Sequence, residues 1–324
     1  MKRLLPPGVR GFIWRQLNAG LHRLETAGEA AATRPLPSPP VFIIGAPRSG
    51  STLLYQTMVE AFDVGYLSNQ HCRFYGAPSL VERWLFPRLE RPAPDYTSTH
   101  GRIQGRTAPS ECGEFWYQFF PREPQAVTTM PVAKQRALHA AIYRLIVAAG
   151  RPFLFKNLMN SLRLLPLARA LPEARFIVIH RDPLANARSL LVARKRTHGD
   201  YAPWWSARPA NVKELEALPP HQQVSEQIIA IYQGIDAARE AIGPERFLDL
   251  SYETFCRDVS GSLGRIDQFF AGQDAPLQRR NASTPARFPI STGGALEPDL
   301  EDALRTYLTS RQHRLPDSSP HAHD

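Results

Sequence analysis

The segment from Gly45 to Thr52 combines glycine, arginine and hydroxyl side chains in a pattern that suits anion binding. It reads Gly-Ala-Pro-Arg-Ser-Gly-Ser-Thr and follows the apolar, strand-like run VFII. A strand that passes through a glycine-rich turn into a helix directs successive backbone N–H groups and the positive end of the helix toward one point. Arg48 adds a charge and the neighbouring hydroxyl groups add donors. We therefore predict that this loop holds an anionic group.

The nearest familiar pattern is the nucleotide phosphate loop G-x4-G-K-[S/T], and this segment differs from it at an important position. Ser51 stands where that loop carries lysine, so the positive charge comes from Arg48 instead. Kinases and NTPases with such a loop also need a carboxylate for Mg²⁺ at the end of a later strand, whereas the run FIVIH ends in His180 and Arg181. Both departures count against a P-loop kinase or NTPase, which remains the alternative interpretation.

A second group of residues, Arg181 and Ser189, could bind another phosphate. Arg181 follows the strand-like run RFIVIH, and Ser189 comes eight residues later, about two turns into the next predicted helix. An arginine and a hydroxyl so placed can hold a phosphate through charge-assisted hydrogen bonds. Taken alone, the segment would favour the alternative of a surface ion pair for Arg181 and a helix-filling role for Ser189.

Strand-like and helical patterns alternate along the chain. The strand-like runs are VFII, PFLFK, RFIVIH and RFLDLS, and helical patterns follow them near 51–62, through 162–171, near 185–196 and up to 270. Continuous apolar strands separated by helices are typical of a parallel sheet covered on both faces, with ligands at the carboxyl ends of the strands. We predict an α/β fold with a central parallel sheet flanked by helices.

The chain of 324 residues suits one large domain with irregular ends. Residues 1–40 are predicted to be an amphipathic segment followed by the Pro-rich connector RPLPSPP. The main domain is expected at 41–315, and a disordered tail at 316–324. Between 66 and 131 the periodicity is weak, which is typical of an insertion that shapes or covers a pocket.

The amphipathic segment has apolar residues at helical spacing between Trp14 and Leu24, beside Arg15, His22 and Arg23. Such a basic helix either packs on the domain, which we favour, or contacts a membrane surface.

The amino-acid composition indicates which other classes of partner the protein can have. The net charge of +9 favours anionic ligands, but the basic residues are dispersed without a nucleic-acid-binding signature, so we expect no nucleic acid partner. A catalytically silent nucleotide-binding or nucleic-acid-binding module stays a further alternative. The sequence has no metal-binding motif, and we expect no metal.

Cysteine usage and hydropathy indicate the compartment. Cys72, Cys112 and Cys256 are scattered without a CxxC pair, which favours a reducing compartment. No run approaches the roughly 18 apolar residues of a membrane span, and the start MKRLLPPGVRGF lacks the apolar core of a signal peptide. We predict a cytoplasmic protein.

The two phosphate-type motifs together resemble those of the sulfotransferases that use 3'-phosphoadenosine 5'-phosphosulfate (PAPS). The matching segments are APRSGST at 46–52 and RDPLANARS at 181–189, with further similarity in FLFKN at 153–157, PEARFIVIHRDP at 172–183 and LSYETFCRD at 250–258. The similarity extends over most of 41–271 and is greater to the bacterial branch of the family. It implies a P-loop-like sulfotransferase fold and a PAPS-dependent enzyme that releases 3'-phosphoadenosine 5'-phosphate (PAP).

The resemblance also implies roles for individual residues. The 5'-phosphosulfate would be surrounded by Arg48, Ser49, Gly50, Ser51 and Thr52, and the 3'-phosphate would be bound by Arg181 and Ser189. Tyr252 would contact adenine, with a purely core role as its alternative. Arg194 lies one position from a phosphate-binding arginine of some relatives, and a late loop over the 3'-phosphate would fall within 279–294.

Sulfuryl transfer needs positive donors at the bridging oxygen of the leaving phosphate and a base for the acceptor hydroxyl. Arg48 and Lys156 are the predicted donors. Glu111, in PSECGEFW, is the favoured base, and His71, in SNQHC, and Glu114 are the alternatives. By family habit, sugar or glycolipid hydroxyls are favoured as acceptors over a protein tyrosine.

Overall fold

The computed structural model describes residues 7–26, 29–98, 101–271 and 276–315. The strands are β1 (Val41–Ile44), β2 (Gly65–Tyr66), β3 (Phe153–Lys156), β4 (Arg175–His180) and β5 (Phe247–Ser251). The helices before β3 are α1 (Pro7–Thr26), α2 (Ser51–Ala61), α3 (Asn69–Arg73), α4 (Pro78–Leu80), α5 (Gly113–Trp116) and α6 (Val132–Ala149). The later helices are α7 (Leu164–Ala170), α8 (Pro183–His198), α9 (Val212–Leu215), α10 (Pro220–Ile242), α11 (Tyr252–Arg257), α12 (Val259–Phe270) and α13 (Pro298–Ser310). The tail predicted at 316–324 lies outside the described residues.

The five strands form one parallel sheet in the order β2-β3-β1-β4-β5. The predicted α/β fold is therefore confirmed. Because β1 lies between β3 and β4, the chain leaves it toward one edge and later crosses to the other. Ligands of open α/β sheets bind at such a reversal, outside the carboxyl ends of the strands.

Aromatic side chains fill the core on one face of the sheet. Phe42 on β1 stacks against Phe155 on β3 at 5.2 Å and against Phe176 on β4 at 5.7 Å. On the opposite face the central strands contribute aliphatic side chains, which include Ile43 and Ile177. Both faces are buried, which explains why these strands read as continuous apolar runs rather than alternating ones.

The N-terminal helix α1 lies on the domain, with Trp14 packed edge-on against Phe74 at 5.8 Å. Within the described residues, no helix is long and apolar enough to cross a membrane.

Candidate active site

The loop between β1 and α2 turns sharply, with positive φ at Gly45 (148°), Arg48 (69°) and Gly50 (94°). A Cβ atom at Gly45 would lie 2.6 Å from the carbonyl oxygen of Ile179 on β4. At Gly50 it would lie 2.2 Å from the ring of Tyr252. Glycine is thus required at both positions by close approach as well as by backbone conformation.

Side chains from later segments hold the backbone of this loop. The hydroxyl of Ser161 accepts from the N–H of Gly45 and donates to its carbonyl oxygen, both at 3.0 Å. On α8, Asn186 donates through Nδ2 to the carbonyl oxygen of Pro47 at 2.6 Å. The conformation of the loop is therefore set by the folded domain, before any ligand binds.

Two arginines beside the loop form no ion pair with a carboxylate in the part of the chain that the structure describes. Arg48 donates through Nε to Ser189 Oγ at 2.9 Å. Arg181 donates to the carbonyl oxygens of Arg48 at 2.6 Å and Ser291 at 2.7 Å, and its buried Nε has no hydrogen-bond partner among the described residues. A serine hydroxyl orients the guanidinium group of Arg48, and backbone carbonyls orient that of Arg181, so neither charge is cancelled by these contacts.

Burial lowers the pKa of both guanidinium groups, and at Arg48 the nearby positive charge of Arg181 lowers the pKa further. Both groups nevertheless stay protonated near neutral pH, because the ordinary pKa of arginine is above about 12. Two partly desolvated positive charges next to a tight backbone loop strongly favour a bound anion.

Tyr252 connects the loop to a late segment of the chain. Its ring packs on Gly50, and the guanidinium carbon of Arg181 lies 4.8 Å from the ring centre. Its Oη accepts from the backbone N–H of Ser291 at 3.2 Å. Burial raises the pKa of Tyr252 above its usual value.

The late segment lies within the range 279–294 that the sequence indicates. Its residues Arg287, Phe288, Pro289 and Ser291 line the cavity described below. Sequence reasoning did not single out Ser291, whose carbonyl holds Arg181. In the sequence, the pair Gly293-Gly294 is the feature that could have indicated this segment. Gly293 has φ 96°, and it lies so close to α8 that a Cβ atom would be 2.2 Å from the carbonyl oxygen of Ala185.

At the carboxyl end of β3, Lys156 and Glu111 form an ion pair. Lys156 also donates through Nζ to Thr52 Oγ1 at 3.2 Å, which places the pair beside the start of α2. The Lys156 side chain is only 2% exposed, whereas the carboxylate of Glu111 is 34% exposed. Asn157 donates through Nδ2 to the carbonyl oxygen of Glu111 at 3.0 Å. A buried lysine and an accessible carboxylate are thus held together at the end of the loop between β1 and α2.

One cavity of about 1230 Å³ joins the loop to this ion pair. It is lined by Arg48, Gly50, Ser51, Thr52, Glu111, Lys156, Arg181 and Tyr252, together with Tyr96, Trp205 and Phe288. The insertion predicted to shape a pocket contributes 95–98 and 101–104 to the wall. No group of three or more His, Cys, Asp or Glu side chains that could hold a metal occurs in the described ranges.

A sequence profile of the sulfotransferase family matches residues 39–273, most of the chain. The chain belongs to the sulfotransferase family. The protein is therefore a transferase, as the sequence motifs predict.

Curated relatives of this sulfotransferase include two proteins named omega-hydroxy-beta-dihydromenaquinone-9 sulfotransferase Stf3, from Mycobacterium bovis and Mycobacterium tuberculosis. Each is 24% identical over 278 residues, which cover 77% of this chain and 67% of the relative. Among solved structures, sulfotransferase STF9 from Mycobacterium avium has a TM-score of 0.53 at 17% identity, covering 94% of this chain and 73% of that one. STF1 from Mycobacterium tuberculosis has a TM-score of 0.51 at 14% identity, covering 95% and 85%.

Other predicted site residues of this sulfotransferase do not line the cavity. His71 is fully buried in α3, with Nδ1 2.8 Å from Ser68 Oγ and Nε2 3.1 Å from Glu82 Oε2. Ser49 is also fully buried, and Ser189 reaches the loop only through its hydrogen bond to Arg48.

Two weaker candidates have partners of their own. Glu114 pairs with Arg122 at 2.6 Å on the surface, at the edge of the cavity. Arg194 is fully buried, donates to Gln223 at 2.7 Å, and does not line the cavity. Burial lowers the pKa of Arg194 to about 10.

Proposed function

We propose that the protein transfers a sulfuryl group from PAPS to a hydroxyl of a carbohydrate, lipid or other small acceptor. The observation that carries this proposal is the pair Arg48 and Arg181. Both side chains are partly desolvated, and both are oriented by uncharged oxygen atoms beside the loop. The same loop leads to Thr52, whose Oγ1 lies 3.2 Å from Lys156 Nζ.

The donor would be bound at both of its phosphate ends. The loop residues 48–52 and the start of α2 suit the 5'-phosphosulfate, and Arg181 with Ser189 suits the 3'-phosphate that distinguishes PAPS from ATP. Ser189 does not line the cavity, but its hydroxyl accepts from Arg48 and so keeps its own proton for a phosphate oxygen bound next to that guanidinium group. Tyr252 lines the same cavity, which supports the predicted contact with adenine.

In the proposed reaction, the acceptor oxygen forms a bond to sulfur as the bond from sulfur to the bridging phosphate oxygen breaks. The electron pair of the broken bond stays on that oxygen, and PAP leaves. Lys156 and Arg48 would stabilise the charge that develops there, because fixed positive donors in a desolvated site act most strongly where charge appears. Glu111 would take the proton of the acceptor hydroxyl.

Glu111 is preferred to His71 as the base because its side chain is accessible from the cavity. The carboxylate of Glu111 is partly exposed in the cavity, while the ring of His71 is buried with both nitrogens next to polar partners. A base must come within hydrogen-bond reach of the proton that it removes.

The acceptor is proposed from the wall of the cavity and from the relatives. Tyr96, Trp205 and Phe288 offer aromatic surface against which a sugar or a lipid can pack. The mycobacterial relatives are named as sulfotransferases of a hydroxylated menaquinone, and this favours a lipid acceptor. We also propose a cytoplasmic location, which is supported by three free cysteines.

Calorimetric titration with PAP, ADP and ATP with Mg²⁺ tests the donor site. We expect tight binding of PAP alone, weakened about 100-fold in Arg181→Ala, since hydrogen bonds to charged groups contribute roughly 1.5–3 kcal/mol each. Arg136→Ala, at an exposed position on α6, is the matched control and should bind PAP normally. Preference for ATP with Mg²⁺, or no nucleotide binding, would exclude PAPS as the donor.

A further inference from the structure

The N-terminal helix α1 turns polar residues toward the domain. Asn18 is buried, donates through Nδ2 to the carbonyl oxygen of Arg73 at 3.2 Å and accepts from the N–H of Gly76 at 2.8 Å. Glu25, two turns later, is also buried and accepts from the N–H of Ser79 at 3.0 Å. Specific polar contacts therefore fix which side of α1 faces the protein.

The opposite side of α1 is apolar and exposed. Its residues are Val9, Phe12, Ile13, Leu17 and Leu24, with exposed fractions of 45%, 55%, 47%, 42% and 68%. These positions recur at three-, four- and seven-residue spacings, so they lie along one stripe of the helix. We call them the α1 stripe. The sequence pattern predicts an apolar side that packs on the domain. Of the residues in that pattern, Trp14 and Leu21 are partly covered, whereas Leu17 and Leu24 are exposed.

A second exposed apolar group lies beside the end of α1. Ser79, which binds Glu25, is followed by Leu80, which is 37% exposed, and by Trp84, which is 56% exposed. Both lie in the short helical segments that begin at Pro78, and the hydrogen bond between Ser79 and Glu25 places these segments next to the end of α1.

Basic residues flank this apolar surface. Arg15 and Arg23 are exposed on α1 next to the stripe. The guanidinium group of Arg83 lies 5.3 Å from the ring centre of Trp84, and the whole chain has a net charge of +9. Helices that lie in the interface of an anionic bilayer typically combine exposed Phe, Leu and Trp side chains with neighbouring arginines.

We propose that the α1 stripe, with Leu80 and Trp84, is a docking surface for an anionic phospholipid bilayer. The helix would lie in the plane of the surface, with its apolar side among the acyl chains and its arginines at the headgroups. A second copy of the chain is the other occupant to test. It would bring the same arginines and the same net positive charge to the contact, so charge complementarity favours the lipid. This surface is separate from the cavity, and the proposal does not depend on the donor or the acceptor.

Cosedimentation of the full-length protein with vesicles tests the proposal. We expect binding to vesicles of phosphatidylcholine with 30% phosphatidylglycerol at least tenfold tighter than to phosphatidylcholine alone, with weakening as salt rises. Phe12→Gln/Leu24→Gln should lose at least 90% of the binding. Val132→Gln, at another exposed apolar position on α6, should bind as the wild type does. Arg15→Gln/Arg23→Gln should lose the preference for the anionic lipid.

The changed side chains are exposed, so unchanged circular dichroism and melting temperature would establish that the variants fold. PAP binding of Phe12→Gln/Leu24→Gln should equal that of the wild type. Equal binding of wild type and this variant to the anionic vesicles would overturn the proposal, as would no vesicle binding at all. A stable dimer in sedimentation velocity that the same substitutions dissociate would assign the α1 stripe to a second copy instead.

Discussion

Arg48 Nε donates to Ser189 Oγ at 2.9 Å, and this contact joins the loop after β1 to helix α8, 141 positions later in the chain. It links the residue proposed for the 5'-phosphosulfate to the residue proposed for the 3'-phosphate. The orientation of Arg48, which has φ 69°, therefore depends on a hydroxyl supplied by a distant motif.

Ser189→Ala should weaken PAP binding about tenfold, which corresponds to about 1.4 kcal/mol. The variant loses both a proposed phosphate contact and the acceptor that orients Arg48. Calorimetry gives the dissociation constant. Ser262→Ala is the control, because Ser262 is equally buried but donates within α12 to the carbonyl oxygen of Asp258. Equal PAP affinity for wild type and Ser189→Ala would contradict the assigned role.

Gly50→Ala should destabilise the fold by about 1–3 kcal/mol and abolish tight PAP binding. The strain has two sources, the positive φ and the ring of Tyr252 at 2.2 Å from the new Cβ atom. Gly264→Ala on α12 is the control, since no atom lies within 4 Å of a Cβ there, and alanine in a helix is better than glycine by about 0.5–1 kcal/mol. Thermal unfolding and PAP titration measure the two effects. If Gly50→Ala had the melting temperature and PAP affinity of the wild type, glycine would not be required in this turn.

Glu111→Gln should lower kcat by about 10²–10⁴, the usual contribution of a general base, with PAP affinity nearly unchanged. Glu114→Gln, which alters a carboxylate paired with Arg122 at the surface, should keep kcat within about twofold of the wild type, because loss of an exposed pair has little effect. Transfer of label from PAPS to a screened hydroxyl acceptor supplies the rates. Full activity in Glu111→Gln would place the base elsewhere.

His71→Asn should act on stability. Removal of the imidazole leaves Glu82 without one of its buried polar partners, at a cost of about 1–3 kcal/mol in the free energy of unfolding. Denaturant unfolding should therefore shift to lower concentration, while folded protein still binds PAP. His22→Asn, at an exposed position on α1, should leave the unfolding midpoint in place. Normal stability with lost turnover in His71→Asn would restore His71 as a candidate base.

The sequence was most informative where a pattern is local. Four of the five strands are apparent as apolar runs, whereas β2, Gly65–Tyr66, is too short to produce a pattern. The helices α6 and α10 were not singled out, since each crosses between strands without a motif. In the site, the motifs identified Arg48 and Arg181, because spacing within a segment reflects strand and helix geometry.

Three residues that hold the loop and Arg181 could not be found from the sequence because their contacts are tertiary. Ser161, Asn186 and Ser291 act through backbone atoms of distant segments, and no local pattern encodes such contacts. The burial of His71 beside Glu82 is likewise decided by packing.

The position of β1 at the centre of the sheet determines how late in synthesis this strand can pair with its neighbours. This strand is made early, but its two neighbours, β3 and β4, begin at Phe153 and Arg175. At roughly 5–20 residues per second, the partners of β1 are synthesised about 5–30 s after it. During that interval the nascent chain carries an unpaired apolar segment, and exposed segments of this kind are prone to aggregate.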